Sequence, residues 1–331
     1  MRSVAPCSRR ESKHAATILA ILTLLMLESH SFAQQSPAPS TRPINGTARP
    51  VRRQDAILPP INASLPTLWI IGDSTVCNGQ DRGENGQWGW GNPIVHYFDP
   101  AKINVVNFAL GGTSSRSFQE SIRWERILGA MKPGDYLIMQ FGHNDGRGVL
   151  PGNGDETQAG SGRAGRAANG GNTATTNPAN NAADPGNNIP RDAAAVSHTH
   201  GWYMRKYVAD ARAKGAKETI ICSLIPRNNW RAGKVDAGQK YPQWDQDAAK
   251  QVNASFIDLH KIIVDKYEAL GQAAVTEALF PEHETTHTDW AGAIANAQSV
   301  IDGLKQNKSE LVGYLLPEPP KDLLLPSGKA R

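Results

Sequence analysis

The apolar and polar positions along the chain predict five short strands alternating with helices. Apolar runs of strand length stand at Thr67–Ile71, Ile103–Phe108, Asp135–Phe141, Thr219–Leu224 and Ser255–Leu259. Stretches with helical spacing stand at Gly91–Phe98, Phe118–Met131, His200–Lys214, Pro242–Gln251, Ile262–Leu270 and about Trp290–Leu304. Such alternation is typical of an α/β domain with a mostly parallel sheet covered on both faces. Ligands of such sheets bind outside the carboxyl ends of the strands.

The segments outside this domain have a different composition. Residues 1–33 have the form of a signal peptide, because basic residues precede an apolar run from Ala15 to Met26 and a small-residue cleavage site ends at Ala33. Residues 34–64 predict a disordered lead-in, 65–314 the folded domain, and 315–331 a Pro-rich tail. We therefore expect a secreted or periplasmic protein, with an uncleaved membrane anchor as the alternative.

One segment interrupts the predicted domain. From about residue 153 to 192 the chain consists mainly of Gly, Asn, Ala and Thr, without apolar periodicity. Such a segment buries too little apolar surface to offset the entropy of ordering it. We expect a low-complexity surface insertion, which is either a neutral expansion or a lid.

Charge and cysteine content narrow the class of partner. The chain has 35 Lys and Arg against 31 Asp and Glu, and without residues 1–33 the counts become 31 and 29. This near balance argues against a nucleic-acid-binding surface. Cys77 and Cys222 match no metal motif, and either pair with each other or remain buried thiols. We expect a monomer that leaves the membrane once the signal is removed.

The first strand ends in Gly72-Asp73-Ser74, a candidate nucleophile turn. A tight turn here places Ser74 at the carboxyl edge of the sheet, beside a helix N-terminus whose free N–H groups hold a developing anion. A Gly-Asp-Ser tripeptide on its own is more often an ordinary turn and helix cap. The residues at the ends of the other strands decide between these two interpretations.

The other strand ends carry matching groups. Gly111 and Gly112 follow the second strand, Asn144 follows the third, and His287 precedes the last helix. Paired glycines expose backbone N–H groups, and the Asn144 amide is a further donor. Together with Ser74 these residues supply a nucleophile, oxyanion donors and a base, which favours acyl transfer. This chemistry needs no metal and no organic cofactor.

These blocks resemble those of the SGNH (GDSL) hydrolases, and in detail those of rhamnogalacturonan acetylesterases. The matching motifs are Gly72-Asp73-Ser74, Asn107-x-Ala109-x-x-Gly112-x-Ser114-x-Arg116-Ser117, Phe141-Gly142-His143-Asn144-Asp145, and Phe280-Pro281 with Thr286-His287-Thr288. The resemblance covers about Leu65 to Leu304 apart from the insertion. It implies a three-layer α/β/α sandwich with a five-stranded flavodoxin-like sheet, and a secreted esterase that removes O-acetyl groups from pectic polysaccharide.

The resemblance also implies roles for individual residues. Ser74 is the nucleophile, and His287 is the base. The backbone N–H groups of Ser74 and Gly112 and the side chain of Asn144 form the oxyanion hole. The family places Asp three residues before the histidine, whereas this chain has Glu284. Glu can orient the imidazole and stabilise its charged form, so we expect Glu284 as the third catalytic residue, with Asp289 as the alternative.

Three other functions remain open. His283-Glu284-Thr285-Thr286-His287 satisfies the H-E-x-x-H zinc-peptidase signature, but two β-branched threonines and the nearby Pro281 disfavour the helix that this motif needs. A lipase-like or thioesterase GDSL hydrolase shares the same blocks. A non-catalytic glycan-binding protein is the interpretation in which Glu284 marks a decayed triad.

Aromatic and basic residues near the proposed site indicate a carbohydrate partner. Trp88, Trp90 and Trp230 offer flat faces for sugar rings, although core packing is the usual use of tryptophan. Arg116 lies in a loop where a guanidinium can meet the carboxylates of galacturonate. We expect these four residues to contact an acetylated plant polysaccharide or oligosaccharide, with acetylated xylan or another glycan as the alternative.

Overall fold

The computed structural model describes residues 57–78, 83–146, 148–159, 196–236, 238–318, 320–321 and 323. The expected signal peptide, most of the lead-in, most of the insertion and most of the tail after residue 318 lie outside the described residues. The expectations made for those segments therefore remain predictions.

The centre of the domain is a sheet of five parallel strands. The described chain forms β1 Thr67–Gly72, β2 Asn104–Asn107, β3 Tyr136–Gln140, β4 Thr157–Ala159, β5 Val196–His198, β6 Glu218–Cys222, β7 Trp230–Arg231, β8 Lys234–Val235 and β9 Ser255–Ile257. The central order is β2-β1-β3-β6-β9, and all its pairings are parallel. This is the flavodoxin-like order of a doubly wound sheet. The five predicted strands are confirmed, with ends that differ by no more than two residues.

The helices differ from the prediction in three places. They are α1 Ser115–Gln119, α2 Ile122–Ala130, α3 His200–Ala213, α4 Tyr241–Gln251, α5 Leu259–Leu270, α6 Gln272–Leu279 and α7 Trp290–Gln306. The segment predicted as one helix from Phe118 to Met131 is two helices, because the chain is extended at Ser121. Gly91–Phe98 contains a 3-10 turn rather than an α-helix, and α6 was not predicted.

Alternate residues of the strands face opposite layers. Leu68 and Ile70 of β1 lie in the apolar cluster that includes residues of α5 and α7. Trp69 and Ile71 of the same strand lie in the cluster that includes residues of α2, α3 and α4. All six residues of β1 are buried, as expected for a parallel strand with helices on both sides. The fold is therefore the expected three-layer α/β/α arrangement.

Part of the predicted insertion is ordered. Thr157–Ala159 forms β4, which pairs antiparallel with β5, and Ala159 lies opposite Val196. The first residues of the predicted insertion therefore include a strand, whose backbone pairs with that of β5. Residues 160–192 lie outside the described part of the chain.

Two further properties bear on the sequence predictions. Cys77 and Cys222 are both buried thiols, and no disulfide joins them. Burial raises the pKa of the Cys222 thiol, so this side chain is neutral at physiological pH. No helix in the described ranges combines the length and apolar character needed to cross a membrane.

Candidate active site

Ser74 stands on a tight turn at the carboxyl end of β1. Asp73 organises the turn, because its Oδ1 accepts hydrogen bonds from Thr75 N at 2.9 Å and Thr75 Oγ1 at 2.7 Å. The position before it requires glycine, since a Cβ on Gly72 would lie 2.6 Å from the carbonyl oxygen of Gln140. Ser74 is 8% exposed, so its side chain is nearly buried.

A buried network supports this turn from below. Trp90 Nε1 donates to Gln140 Oε1 at 2.8 Å, and Gln140 Nε2 donates to Thr75 Oγ1 at 2.6 Å. Burial raises the pKa of Asp73 to about 6, although the hydrogen bonds from Thr75 act in the opposite direction. Trp90 has 0% exposure. The expectation that Trp90 contacts a sugar is therefore wrong, because its ring packs in the core and braces the turn.

His287 connects the Ser74 hydroxyl to a carboxylate. Its Nε2 lies 2.9 Å from Ser74 Oγ, and its Nδ1 lies 3.2 Å from Glu284 Oε2. The two ring nitrogens thus face the candidate nucleophile on one side and the candidate orienting acid on the other. The structure brings these three residues together in the order that a serine nucleophile, a general base and an orienting carboxylate require.

Glu284 is held by the backbone of its own loop. Its Oε1 accepts hydrogen bonds from the N–H groups of Thr285 at 2.9 Å and Thr286 at 2.7 Å. Burial alone would raise the pKa of Glu284, but the hydrogen bonds from His287 and from the Thr286 backbone lower it to about 2. The side chain thus turns toward the backbone of the residues that follow it, and its other oxygen, Oε2, faces the imidazole.

The alternative orienting residue, Asp289, has a different partner. Its side chain accepts from the N–H of Gly292 at 2.8 Å and caps the N-terminus of α7. The carboxylate that faces Nδ1 of His287 is that of Glu284. The geometry therefore favours Glu284 over Asp289 as the residue that orients the base.

The proposed oxyanion donors Gly112 and Asn144 lie in the loops that follow β2 and β3. Gly112 has a φ of 82°, a left-handed conformation that favours glycine. The preceding glycine also lies near the nucleophile, since a Cβ on Gly111 would be 3.5 Å from Ser74 Cβ. Asn144 Nδ2 donates to the carbonyl of Thr113 at 3.1 Å. A primary amide has two N–H groups, so one remains available to a ligand while the other fixes the side chain.

A buried ion network lies behind the Asn144 loop. Asp145 accepts from Ser115 N at 2.8 Å and from His200 Nδ1 at 2.7 Å. His200 Nε2 lies 2.8 Å from Asp245 Oδ1. Burial alone would lower the pKa of His200, but the two carboxylates raise it well above its usual range. Sequence reasoning missed His200 and Asp245, because neither belongs to a motif and α3 and α4 bring them together.

The H-E-x-x-H motif does not have the geometry of a zinc site. Residues 281–288 form turns and bends rather than a helix. His283 has a φ of 62° and a side chain that is 89% exposed, whereas His287 faces Ser74. Two histidines four residues apart bind one metal only when a helix places them on the same face. The zinc-peptidase interpretation therefore lacks its structural basis.

The other three residues expected to contact substrate differ in how far the structure exposes them. Trp88 is nearly buried, and its ring packs edge-on against Trp290 with centroids 4.8 Å apart. Arg116 of α1 is occupied by Glu120 Oε1 at 2.8 Å and by the hydroxyl of Ser197. Trp230 is half-buried, and its Nε1 donates to Asn228 Oδ1 at 2.7 Å. Of these residues, Trp230 is the one with an accessible aromatic surface.

Trp230 is linked to the loop that carries His287. The N–H of Asn228 donates to the carbonyl of Thr285 at 2.7 Å. The guanidinium of Arg227 contacts the hydroxyl of Thr286. These two contacts hold the segment after β6, which leads to Trp230, against the loop that carries His287.

Gln87 is a further residue absent from the sequence prediction. Its Nε2 donates to Glu284 Oε2 at 2.7 Å.

Comparison with known proteins gives a consistent picture. The model of the GDSL-like Lipase/Acylhydrolase family matches residues 70–293. The chain is 26% identical to the rhamnogalacturonan acetylesterase of Emericella nidulans over 71% of this chain and 84% of that protein. It is 27% identical to the probable rhamnogalacturonan acetylesterase YesY of Bacillus subtilis over 72% of this chain and 92% of that protein.

A solved structure shares the fold. The crystal structure of protein YxiM from Bacillus subtilis matches with a TM-score of 0.55 and 24% identity, covering 76% of this chain and 58% of that one. The matched region of the present chain includes most of the α/β domain. At this level of identity the likeness concerns the fold.

Proposed function

This chain belongs to the GDSL-like lipase/acylhydrolase family, and we propose that it is a secreted serine esterase that removes O-acetyl groups from pectic polysaccharide of the rhamnogalacturonan type. The observation that carries the proposal is the continuous hydrogen-bonded series from Ser74 through His287 to Glu284. A serine hydroxyl is a weak nucleophile until a neighbouring base removes its proton. The series supplies that base and a carboxylate that orients it.

The first half of the reaction forms an acetyl-enzyme. Ser74 Oγ attacks the carbonyl carbon of the acetyl ester while His287 Nε2 takes the hydroxyl proton. The tetrahedral oxyanion is held by the backbone N–H groups of Ser74 and Gly112 and by the amide of Asn144. His287 then gives its proton to the sugar oxygen as the carbon–oxygen bond breaks.

The second half returns the free enzyme. Water gives a proton to His287 Nε2 and attacks the acetyl carbonyl, and the same donors hold the second oxyanion. Collapse of this intermediate releases acetate, and Ser74 recovers its proton from His287. Glu284 keeps Nδ1 protonated throughout, because a carboxylate with a pKa of about 2 remains a negatively charged acceptor across the neutral range.

The substrate is proposed from two kinds of support. Two relatives that each match more than two thirds of the chain carry the name rhamnogalacturonan acetylesterase, one of them as a probable assignment. The half-buried indole of Trp230 is attached through Asn228 to the loop that carries the base. A flat aromatic surface at this place suits a sugar ring. The signal-like residues 1–33 agree with a polymer substrate met outside the cytoplasm.

Hydrolysis of p-nitrophenyl acetate by the purified protein, compared with Ser74→Ala, tests the reaction. We expect p-nitrophenol release by the native protein, no release above background by the variant, and no effect of a metal chelator. Release of acetate from acetylated rhamnogalacturonan and from acetylated xylan then tests the substrate. Full activity of Ser74→Ala would refute the mechanism, and a preference for xylan would refute the pectic substrate alone.

A further inference from the structure

We propose that Gln87 is a positioning residue that holds the Glu284 carboxylate against His287. The proposal rests on the proposed esterase function. Gln87 Nε2 donates to Glu284 Oε2 at 2.7 Å, and this is the same oxygen that faces His287 Nδ1. Gln87 therefore acts on the proposed reaction through Glu284 rather than through the substrate.

The two oxygens of Glu284 are held in different ways. Oε1 accepts from backbone N–H groups of its own loop, and Oε2 accepts from the side chains of Gln87 and His287. The backbone hydrogen bonds fix the position of Oε1. They still allow the carboxylate group to rotate about Oε1, which would move Oε2 away from the imidazole. The donor on Oε2 restricts that rotation. Gln87 thus determines where the oxygen that contacts the imidazole lies.

The amide of Gln87 is itself oriented. Asn78 Nδ2 donates to Gln87 Oε1 at 2.9 Å, which turns the NH2 group of Gln87 toward Glu284. A reversed amide would place two NH2 groups together and a carbonyl oxygen against a carboxylate. Asn78 stands four residues after Ser74, at the end of the nucleophile turn. The side-chain series therefore runs from the end of that turn to the acid.

The backbone around Gln87 is also tied to the base loop. The N–H of Trp88 donates to the carbonyl of Thr288 at 2.8 Å, and Thr288 Oγ1 donates to the carbonyl of Trp88 at 3.1 Å. The residue after Gln87 is thus bonded to the residue after His287. This pairing sets the spacing between the two segments, although Gln87 and Glu284 are 197 positions apart.

The need for this contact follows from the glutamate. Glu has one more rotatable bond than Asp, and a freer side chain loses more entropy when it is held in one orientation. The Glu284 side chain is 21% exposed, so packing alone does not hold it. A neutral amide donor stabilises the carboxylate without adding a further charge beside the imidazole. Gln87 thereby offsets the additional freedom that Glu brings to this position.

The test compares Gln87→Met and Gln87→Glu with the same changes at Gln243, an exposed glutamine on α4. On p-nitrophenyl acetate we expect Gln87→Met to lower kcat about tenfold with an unchanged KM, the effect of losing one charge-assisted hydrogen bond. Gln87→Glu adds a negative charge beside Oε2. The added charge favours the protonated imidazole, so the acid limb of kcat/KM should move to higher pH. The Gln243 variants should match the native protein.

The outcomes separate this proposal from the proposed function. Native activity that Ser74→Ala abolishes establishes the reaction whatever Gln87 does. Within that result, native kcat in Gln87→Met together with an unshifted acid limb in Gln87→Glu would overturn the positioning role. A residue that only holds the loop would change the melting temperature or KM and leave the pH profile in place. If Gln87→Met does not fold, the isosteric Gln87→Glu variant decides through its pH profile.

Discussion

Glu284 Oε2 lies 3.2 Å from His287 Nδ1. The two residues are three positions apart in a loop that is not helical. The contact exists because the side chain folds back over its own turn, where Oε1 is bound by the next two backbone N–H groups. The family pattern uses the shorter Asp at this position. Here the longer Glu side chain bends toward its own turn, so its carboxylate still lies next to the imidazole.

The competition between Glu284 and Asp289 can be decided by paired amide substitutions. Glu284→Gln keeps the size but removes the negative acceptor, and we expect kcat to fall by about three to four orders of magnitude. Asp289→Asn should keep native kcat, because Asn also caps helices well and this side chain bonds to Gly292. Steady-state kinetics on p-nitrophenyl acetate provide the measurement. Loss of activity in Asp289→Asn with full activity in Glu284→Gln would reverse the assignment.

The Asn144 amide is expected to act mainly in the transition state. Asn144→Ala should lower kcat by about two to three orders of magnitude with little change in KM, the usual effect of removing one oxyanion donor. Asn307→Ala is the matched control, since this exposed amide lies at the end of α7 and donates to the backbone carbonyl of Phe256. Kinetics with both variants would contradict the role of Asn144 if they gave the same kcat.

Replacing His283 tests the remaining metal interpretation. At a φ of 62° glycine is better tolerated than histidine, so His283→Gly should change the free energy of unfolding by no more than about 1 kcal/mol. Its ring is exposed to solvent and contacts Glu282, so native kcat is expected. Esterase assays with and without a chelator, alongside thermal unfolding, make the comparison. A chelator-sensitive activity that disappears in His283→Gly would support zinc instead.

The buried contacts of His200 with Asp145 and Asp245 predict that the protein loses stability at alkaline pH. Asp145 and Asp245 raise the folded-state pKa of His200 above its unfolded value near 6.5, against the effect of burial. The folded state thus retains a proton that the unfolded state releases. The resulting stabilisation is complete below about pH 6.5 and declines as pH rises toward the higher folded value.

His200→Gln is the comparison that isolates this effect. The variant should be less stable near neutral pH by about 3–5 kcal/mol, because it leaves buried carboxylates without their cation. Denaturant unfolding at several pH values between 6 and 10 should show the native protein losing stability faster than the variant, so that the difference narrows. A difference that stays constant across this range would mean that His200 is neutral in the folded protein.

Much of the fold was predictable because the middle strands of the sheet are buried on both faces. The strands β1 and β3 each consist mainly of one apolar run, and the short length of that run separates it from the helices. The break between α1 and α2 was missed because the apolar spacing continues through it. Ser121, the N-cap of the second helix, has an extended backbone there.

The candidate site was predictable where residues belong to compact motifs. Ser74 and His287 were named from such motifs, and the structure brings them together, whereas the oxyanion role of Asn144 stays a prediction. The positions of the aromatic side chains were not predictable from the sequence, since Trp90 in the segment Trp88-Gly89-Trp90 lies in the core. Gln87 was missed because its importance arises from a contact across most of the chain.

Ala159 pairs with Val196, so the two described positions on either side of residues 160–195 lie next to each other. When two neighbouring positions are joined by a connection, each doubling of its length costs only about 0.6 kcal/mol of closure entropy. The hydrolase fold therefore sets little limit on what lies between these residues. The β4–β5 pair is therefore a suitable insertion point for protein engineering. A reporter or a carbohydrate-binding module can replace residues 160–195 while the hydrolase domain keeps its fold.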